Sequence, residues 1–94
     1  VDAELRLAVL ERDGRNAGGC VGWGRLPGEC VGRLTLDHVR SSGALGKKSR
    51  TTLDNLVTLC IGHHQYKTEH GREARPILLH YLERFDYSVV EDLR

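Results

Sequence analysis

Apolar positions recur along the chain with two different periods, and the change of period marks its elements. Near the N-terminus Leu5, Ala8, Val9 and Arg12 fall at i, i+3, i+4 and i+7, with Asp2 ahead as a cap and Asp13-Gly14 behind as a stop. That pattern predicts a helix over about residues 2–13. From Arg33 to Val39 the period shortens to two: Leu34, Leu36 and His38 share one face, so the stretch reads as a strand with Asp37 and His38 on opposite faces near its end. Leu56-Val57-Thr58-Leu59 is short and apolar enough to pair with it. The stretch from Ile61 to His70 then reads as a helix closed by Gly71. Pro76 suits an early helix position, and Ile77, Leu78, Tyr81, Leu82 and Phe85 predict a last amphipathic helix over about residues 76–86.

Two segments lack any period. Residues 14–32 hold seven glycines and Pro27 and read as irregular chain in need of an anchor. Residues 41–52 are polar and basic and read as a long exposed loop. The resulting order of strand, loop, strand and helix, flanked by further helices, predicts a single α+β domain over residues 1–94 with its core at about 33–71. A chain of this size buries only about 60% of the surface it exposes when unfolded, so a metal or other staple becomes useful. Aromatics are few (Trp23, Tyr66, Tyr81, Phe85 and Tyr87), leaving Leu and Val to form the core.

The three cysteines are an odd number and no signal-like segment precedes them, which argues against a secreted disulfide framework. No stretch approaches a membrane span, so a cytoplasmic location without membrane contact is the expectation. The chain starts at Val1 and has no Met, as expected of a piece of a longer protein. Net charge is only +1. Its distribution says more, for between Gly32 and Arg75 eight cations face four anions. Basic charge gathered in the middle of the chain suits a nucleic-acid partner, although a solvated charged face has the same composition.

Cys60 and His63 form a C-x-x-H pair, and Cys20 and Cys30 lie upstream in chain that can bend to meet them. Three thiolates and an imidazole make a closed tetrahedral set for structural zinc, worth on the order of 10 kcal/mol of folding free energy. The C-x9-C spacing is wider than that of common zinc motifs, and free buried cysteines are the alternative. His70 is a poorer fourth ligand, two turns further along the helix.

Leu34-Thr35-Leu36-Asp37-His38 followed by Asn55-Leu56-Val57-Thr58-Leu59-Cys60-Ile61-Gly62-His63-His64-Gln65-Tyr66-Lys67 resembles the motif of the HNH endonuclease family, L-x-x-D-H... N-L-x-x-L-C-x-x-C-H-x-x-K. The chain departs from it at His63, where the family usually has a second Cys. In that register His63 inherits the zinc role and His64 the final histidine; the adjacent pair could be read the other way round.

The resemblance implies a zinc-stapled ββα-metal core and hydrolysis of DNA phosphodiesters with one divalent ion, leaving 5'-phosphate and 3'-hydroxyl ends. Asp37 and His64 would hold that ion, Mg²⁺, Mn²⁺ or Ni²⁺, as oxygen and nitrogen ligands. His38 would be the general base that takes the proton of water, and Asn55 would orient the strand carrying it. Arg40, Lys47, Lys48, Arg50 and Lys67 are the candidate DNA contacts, Arg40 for the scissile phosphate. By the same resemblance the setting is a bacterial or phage-infected cell, with other phage or restriction proteins as candidate partners, and the chain acts as monomer or homodimer. The alternative is a zinc-bound DNA-binding module that keeps the fold without the chemistry. A zinc nucleobase deaminase is excluded, because H-x-E and P-C-x-x-C are both missing.

Overall fold

The computed structural model describes residues 2–40 and 51–87. Helix α1 spans Ala3–Ala17 and opens on Asp2, whose Oδ1 accepts the Leu5 N–H at 2.8 Å. It does not stop at Asp13-Gly14 but runs four residues further, to Gly18 in the left-handed region at φ 73°. The N–H of Gly19 turns back to the Asp13 carbonyl at 3.1 Å and closes the end. Strand β1 is Leu34–His38 and strand β2 is Leu56–Cys60, entered through a short 3-10 turn at Leu53–Asn55. They pair antiparallel with Leu34 opposite Cys60, Asp37 opposite Val57 and His38 opposite Leu56.

Helix α2, Ile61–Glu69, begins directly on the last residue of β2. Helix α3, Gly71–Leu82, follows after the single residue His70, so its start precedes the expected position by five residues. Gly71 begins α3 rather than only ending α2, and Pro76 stands inside the helix, on its exposed side. The helix also ends earlier than expected, leaving Phe85 beyond it. The α+β class stands as expected: among the described residues, a two-stranded hairpin with three helices around it. Among the described residues no helix is long and apolar enough to cross a membrane.

All five residues of β2 are buried, because the strand has elements packed on both faces. Val57 and Leu59 join Val21, Val39, Ala74, Leu78 and Tyr81 in the larger apolar cluster, while Leu56 joins Val9 and Leu53 against α1. Opposite residues of an antiparallel pair share a face, so Asp37 lies on the Val57 side and His38 on the Leu56 side. The alternation read from the sequence is thus kept.

The two faces are tied together by a group that the periodicity did not reveal. Asp13, fully buried in the middle of α1, accepts from the Thr58 N–H at 2.7 Å and the Tyr81 hydroxyl at 2.6 Å. Arg12 supplies the counter-charge, its Nε 2.8 Å from Asp13 Oδ1, and also donates to the Leu53 and Leu56 carbonyls. One carboxylate therefore joins α1, β2 and α3. A buried charge with partners on every side adds little net stability, but removing one partner is strongly destabilising, by about 3–5 kcal/mol.

Candidate metal centre and catalytic face

The first candidate group forms where the β2–α2 junction meets the glycine-rich segment. One ligand atom from each of Cys20, Cys30, Cys60 and His63 lies within 4.8 Å of every other. His63 Nδ1 is 3.3 Å from the sulfurs of Cys20 and Cys60 and 3.7 Å from that of Cys30. In a tetrahedral zinc site, Zn–S near 2.3 Å and Zn–N near 2.0 Å place nitrogen and sulfur about 3.6 Å apart. The four residues are therefore gathered at a spacing that could hold zinc, as the sequence predicts.

The surroundings fit the same role. His63 Nε2 lies 3.0 Å from the Gly28 carbonyl, which can only accept, so the ring proton sits on Nε2 and Nδ1 turns its lone pair to the sulfurs. Backbone N–H groups point at sulfur as well: Val31 and His63 to Cys60 at 3.4 Å each, and Cys60 to Cys20 at 3.2 Å. Burial alone would push the Cys60 thiol up, yet the His63 and Val31 N–H groups bring it down to about 7. Cys30 is an exposed residue whose sulfur faces the cluster; desolvation and the neighbouring Cys20 and Cys60 push its thiol up to about 12. A bound cation would draw all three to thiolates, since metal binding displaces thiol protons. Gly22 makes room for the imidazole, for a Cβ there would stand 2.6 Å from His63 Cγ.

His70, the weaker candidate, is outside this group and stacks on Tyr66 with centroids 4.4 Å apart. His80, on α3, is exposed.

The second group lies on the α2 side of β1. His64 follows His63 but leaves the helix about 100° around from it, so the pair face different surroundings. His64 Nε2 is 3.1 Å from Asp37 Oδ1, and its Nδ1 is 2.7 Å from Thr35 Oγ1. Thr35 Oγ1 is in turn 2.8 Å from the Leu59 carbonyl. Because a carbonyl only accepts, the hydroxyl proton goes to Leu59, and His64 Nδ1 must donate to Thr35. The nitrogen facing Asp37 is then Nε2, which in the neutral ring carries a lone pair. Two lone pairs 3.1 Å apart repel unless a proton or a cation lies between them.

Asp37 is buried, and its Oδ2 has no hydrogen bond among the described residues. The Lys67 ammonium is 3.0 Å from Oδ2 without the alignment of a hydrogen bond; its directed bond goes to the His38 carbonyl at 2.7 Å. Octahedral bonds near 2.1 Å place neighbouring ligand atoms about 3.0 Å apart, close to the Oδ1–Nε2 separation. Asp37 and His64 thus set an oxygen and a nitrogen donor at the separation of neighbouring ligand atoms. His64 opens onto a pocket that it lines with Ile61 and Gln65.

His38 stands on the other face of β1, with Nε2 3.0 Å from the Thr51 hydroxyl. Asn55 is buried and grips the next turn of chain, accepting from the Arg40 N–H at 2.7 Å and donating to the Arg40 carbonyl at 3.2 Å. Arg75 adds a donor to the Val39 carbonyl at 3.1 Å, so residues 38–40 are held by Lys67, Arg75 and Asn55. The side chain of Arg40 is exposed. Lys67, expected at the DNA backbone, is turned inward and only 11% exposed. Lys47, Lys48 and Arg50 lie outside the described residues.

Thr35, Lys67 in its inward role, Arg75 and Gly22 had no signal in the sequence beyond their place beside the ligands. No family model matches the chain, and neither the curated proteins nor the solved structures give a match.

Proposed function

We propose that the chain is a zinc-stapled, divalent-metal-dependent DNA endonuclease of the HNH kind. The observation that carries this reading is the Asp37–His64 pair: a tautomer fixed by Thr35 turns Nε2 to a buried carboxylate 3.1 Å away. A cation held by the two atoms removes the repulsion between them. When bound, the divalent ion supplies positive charge to the phosphate and to the departing 3'-oxygen.

The chain's own residues do the rest. His38 takes a proton from water as the nucleophile forms. Asn55 holds the backbone of Arg40, two residues after His38, and thereby the chain leaving the strand end. Cys20, Cys30, Cys60 and His63 hold zinc and fix the β2–α2 junction on which His64 stands. Arg40, whose side chain is exposed, is the residue we assign to the phosphate.

The test is plasmid nicking by zinc-loaded protein with Mg²⁺, Mn²⁺ or Ni²⁺ added. Wild type should nick with at least one of the three, and His38→Ala, Asp37→Asn and His64→Ala should each lose about 100-fold or more, the scale of a lost general base. Folded, zinc-loaded wild type that is no more active than His38→Ala under all three ions would sink the proposal.

A further inference from the structure

Lys67 lies one turn beyond His64 on the same face of α2, yet its ammonium does not reach for solvent. It is 3.0 Å from Asp37 Oδ2 and 2.7 Å from the His38 carbonyl, and both charged side chains are only 11% exposed. Long lysine side chains ordinarily keep their charge in water. Here the charge is set beside the carboxylate that would ligate the divalent ion, on the oxygen that His64 does not face. The ammonium offsets the charge of that carboxylate, so an incoming divalent ion meets a less negative site than the carboxylate alone would present.

Resting on the nuclease reading above, we propose that Lys67 is a positioning residue that sets how weakly the Asp37–His64 pair holds its divalent ion. It orients Asp37 so that Oδ1 faces His64 Nε2, and its charge opposes the ion across the same carboxylate. The site therefore fills readily only when another negative group, a substrate phosphate, completes it. This differs from a phosphate contact, the role expected from the sequence. A phosphate-binding lysine would raise DNA affinity and leave the affinity for the ion alone untouched.

The size of the effect follows from Coulomb's law. A double and a single positive charge about 5 Å apart repel, even with the screening of bulk water, by enough to change a binding constant about tenfold. The experiment measures Mn²⁺ binding to the zinc-loaded full chain, without DNA, from the paramagnetic resonance signal of free Mn²⁺. Lys67→Met should bind Mn²⁺ about tenfold or more tighter than wild type, Lys67→Arg should stay within about threefold, and Asp37→Asn should lose the site. Lys67→Gln, which keeps a donor for the His38 carbonyl, is measured alongside and should also tighten, so that an unfolded Met variant does not end the test. Tightening by either neutral variant, with Lys67→Arg unchanged, supports the inference. Mn²⁺ binding by folded Lys67→Gln or Lys67→Met that equals or falls below wild type overturns it. Mn²⁺ bound by no variant, wild type included, overturns the cation site itself and the inference with it.

Discussion

Replacing Gly22 by alanine would place a methyl carbon 2.6 Å from Cγ, 2.8 Å from Cβ and 2.9 Å from Nδ1 of His63. Ordinary contact for a Cβ begins near 3.4 Å, so one partner must move by about 0.8 Å. Neither is free to do so. The Gly22 carbonyl accepts from the N–H groups of Arg25 and Leu26 at 3.1 and 2.9 Å. His63 is held at both ring nitrogens, by Gly28 on one side and the three sulfurs on the other. Metal–ligand bonds tolerate displacements of about 0.2 Å, so the shift takes Nδ1 out of the ligand set. Mutations one shell further out already cost about 10–100-fold in metal affinity. Losing a direct ligand should cost zinc affinity about 100-fold or more, near 2.7 kcal/mol. Overpacking adds about 1–3 kcal/mol. Against the ~5–15 kcal/mol of a typical domain, a loss of about 4 kcal/mol should lower the melting temperature by about 15 °C or more. Chelator competition reads the zinc affinity and thermal unfolding reads the stability. Gly14→Ala is the control: it lies inside α1 with nothing within 4 Å of the added methyl and should stabilise by up to about 1 kcal/mol. A Gly22→Ala protein that keeps zinc within about threefold and melts within about 2 °C of wild type would refute the packing argument.

Three further outcomes are expected. Stripping the metal with a strong chelator should unfold the chain or lower its melting temperature steeply, with recovery on adding zinc, because the binding energy is of the order of the domain's whole stability; circular dichroism that is the same before and after, at verified zero zinc, would contradict this. Burial and the hydrogen bond to Asp13 raise the Tyr81 hydroxyl well above its ordinary value near 10, so the folded chain holds that proton more tightly than the unfolded one. The resulting stability is fully present below pH 10 and is lost as pH rises beyond it; urea unfolding should show Tyr81→Phe less stable than wild type by about 1.5–3 kcal/mol at pH 8, with the gap narrowing above pH 10. Asn55→Ala should free the Arg40 backbone, costing about 1–3 kcal/mol of stability and reducing nicking even in protein that remains folded; unchanged urea midpoints would show the two bonds to be dispensable.

The parts legible in the sequence are those governed by local period or by a compact motif. Alternation around Asp37 and His38 gives β1, the apolar run gives β2, and Cys60 to His64 gives the start of α2 together with two members of the Cys/His cluster. What stayed hidden depends on partners far away in the chain. Asp13 before Gly14 looks like a helix stop because acidic residues usually seek water; it continues α1 only because Thr58 and Tyr81, 45 and 68 residues on, supply donors. Gly71 looks like the end of a helix and is the first residue of the next one, a junction decided by how α3 packs its Ala74, Leu78, Tyr81 and Leu82. Lys67 looks like a surface cation until β1 brings Asp37 and the His38 carbonyl beside it.

His63 and His64 are consecutive residues, yet one belongs to the buried cysteine cluster and the other to the Asp37 face. The first turn of α2 thus acts as a partition whose two sides differ only in phase. An inserted residue between Cys60 and His63 would turn His63 round to the Asp37 side and leave the sulfurs without an imidazole, whereas a deleted one would bring His64 to the sulfurs and leave Asp37 without one. Substitutions can degrade either site alone, but length at this junction is a property the two must keep in common.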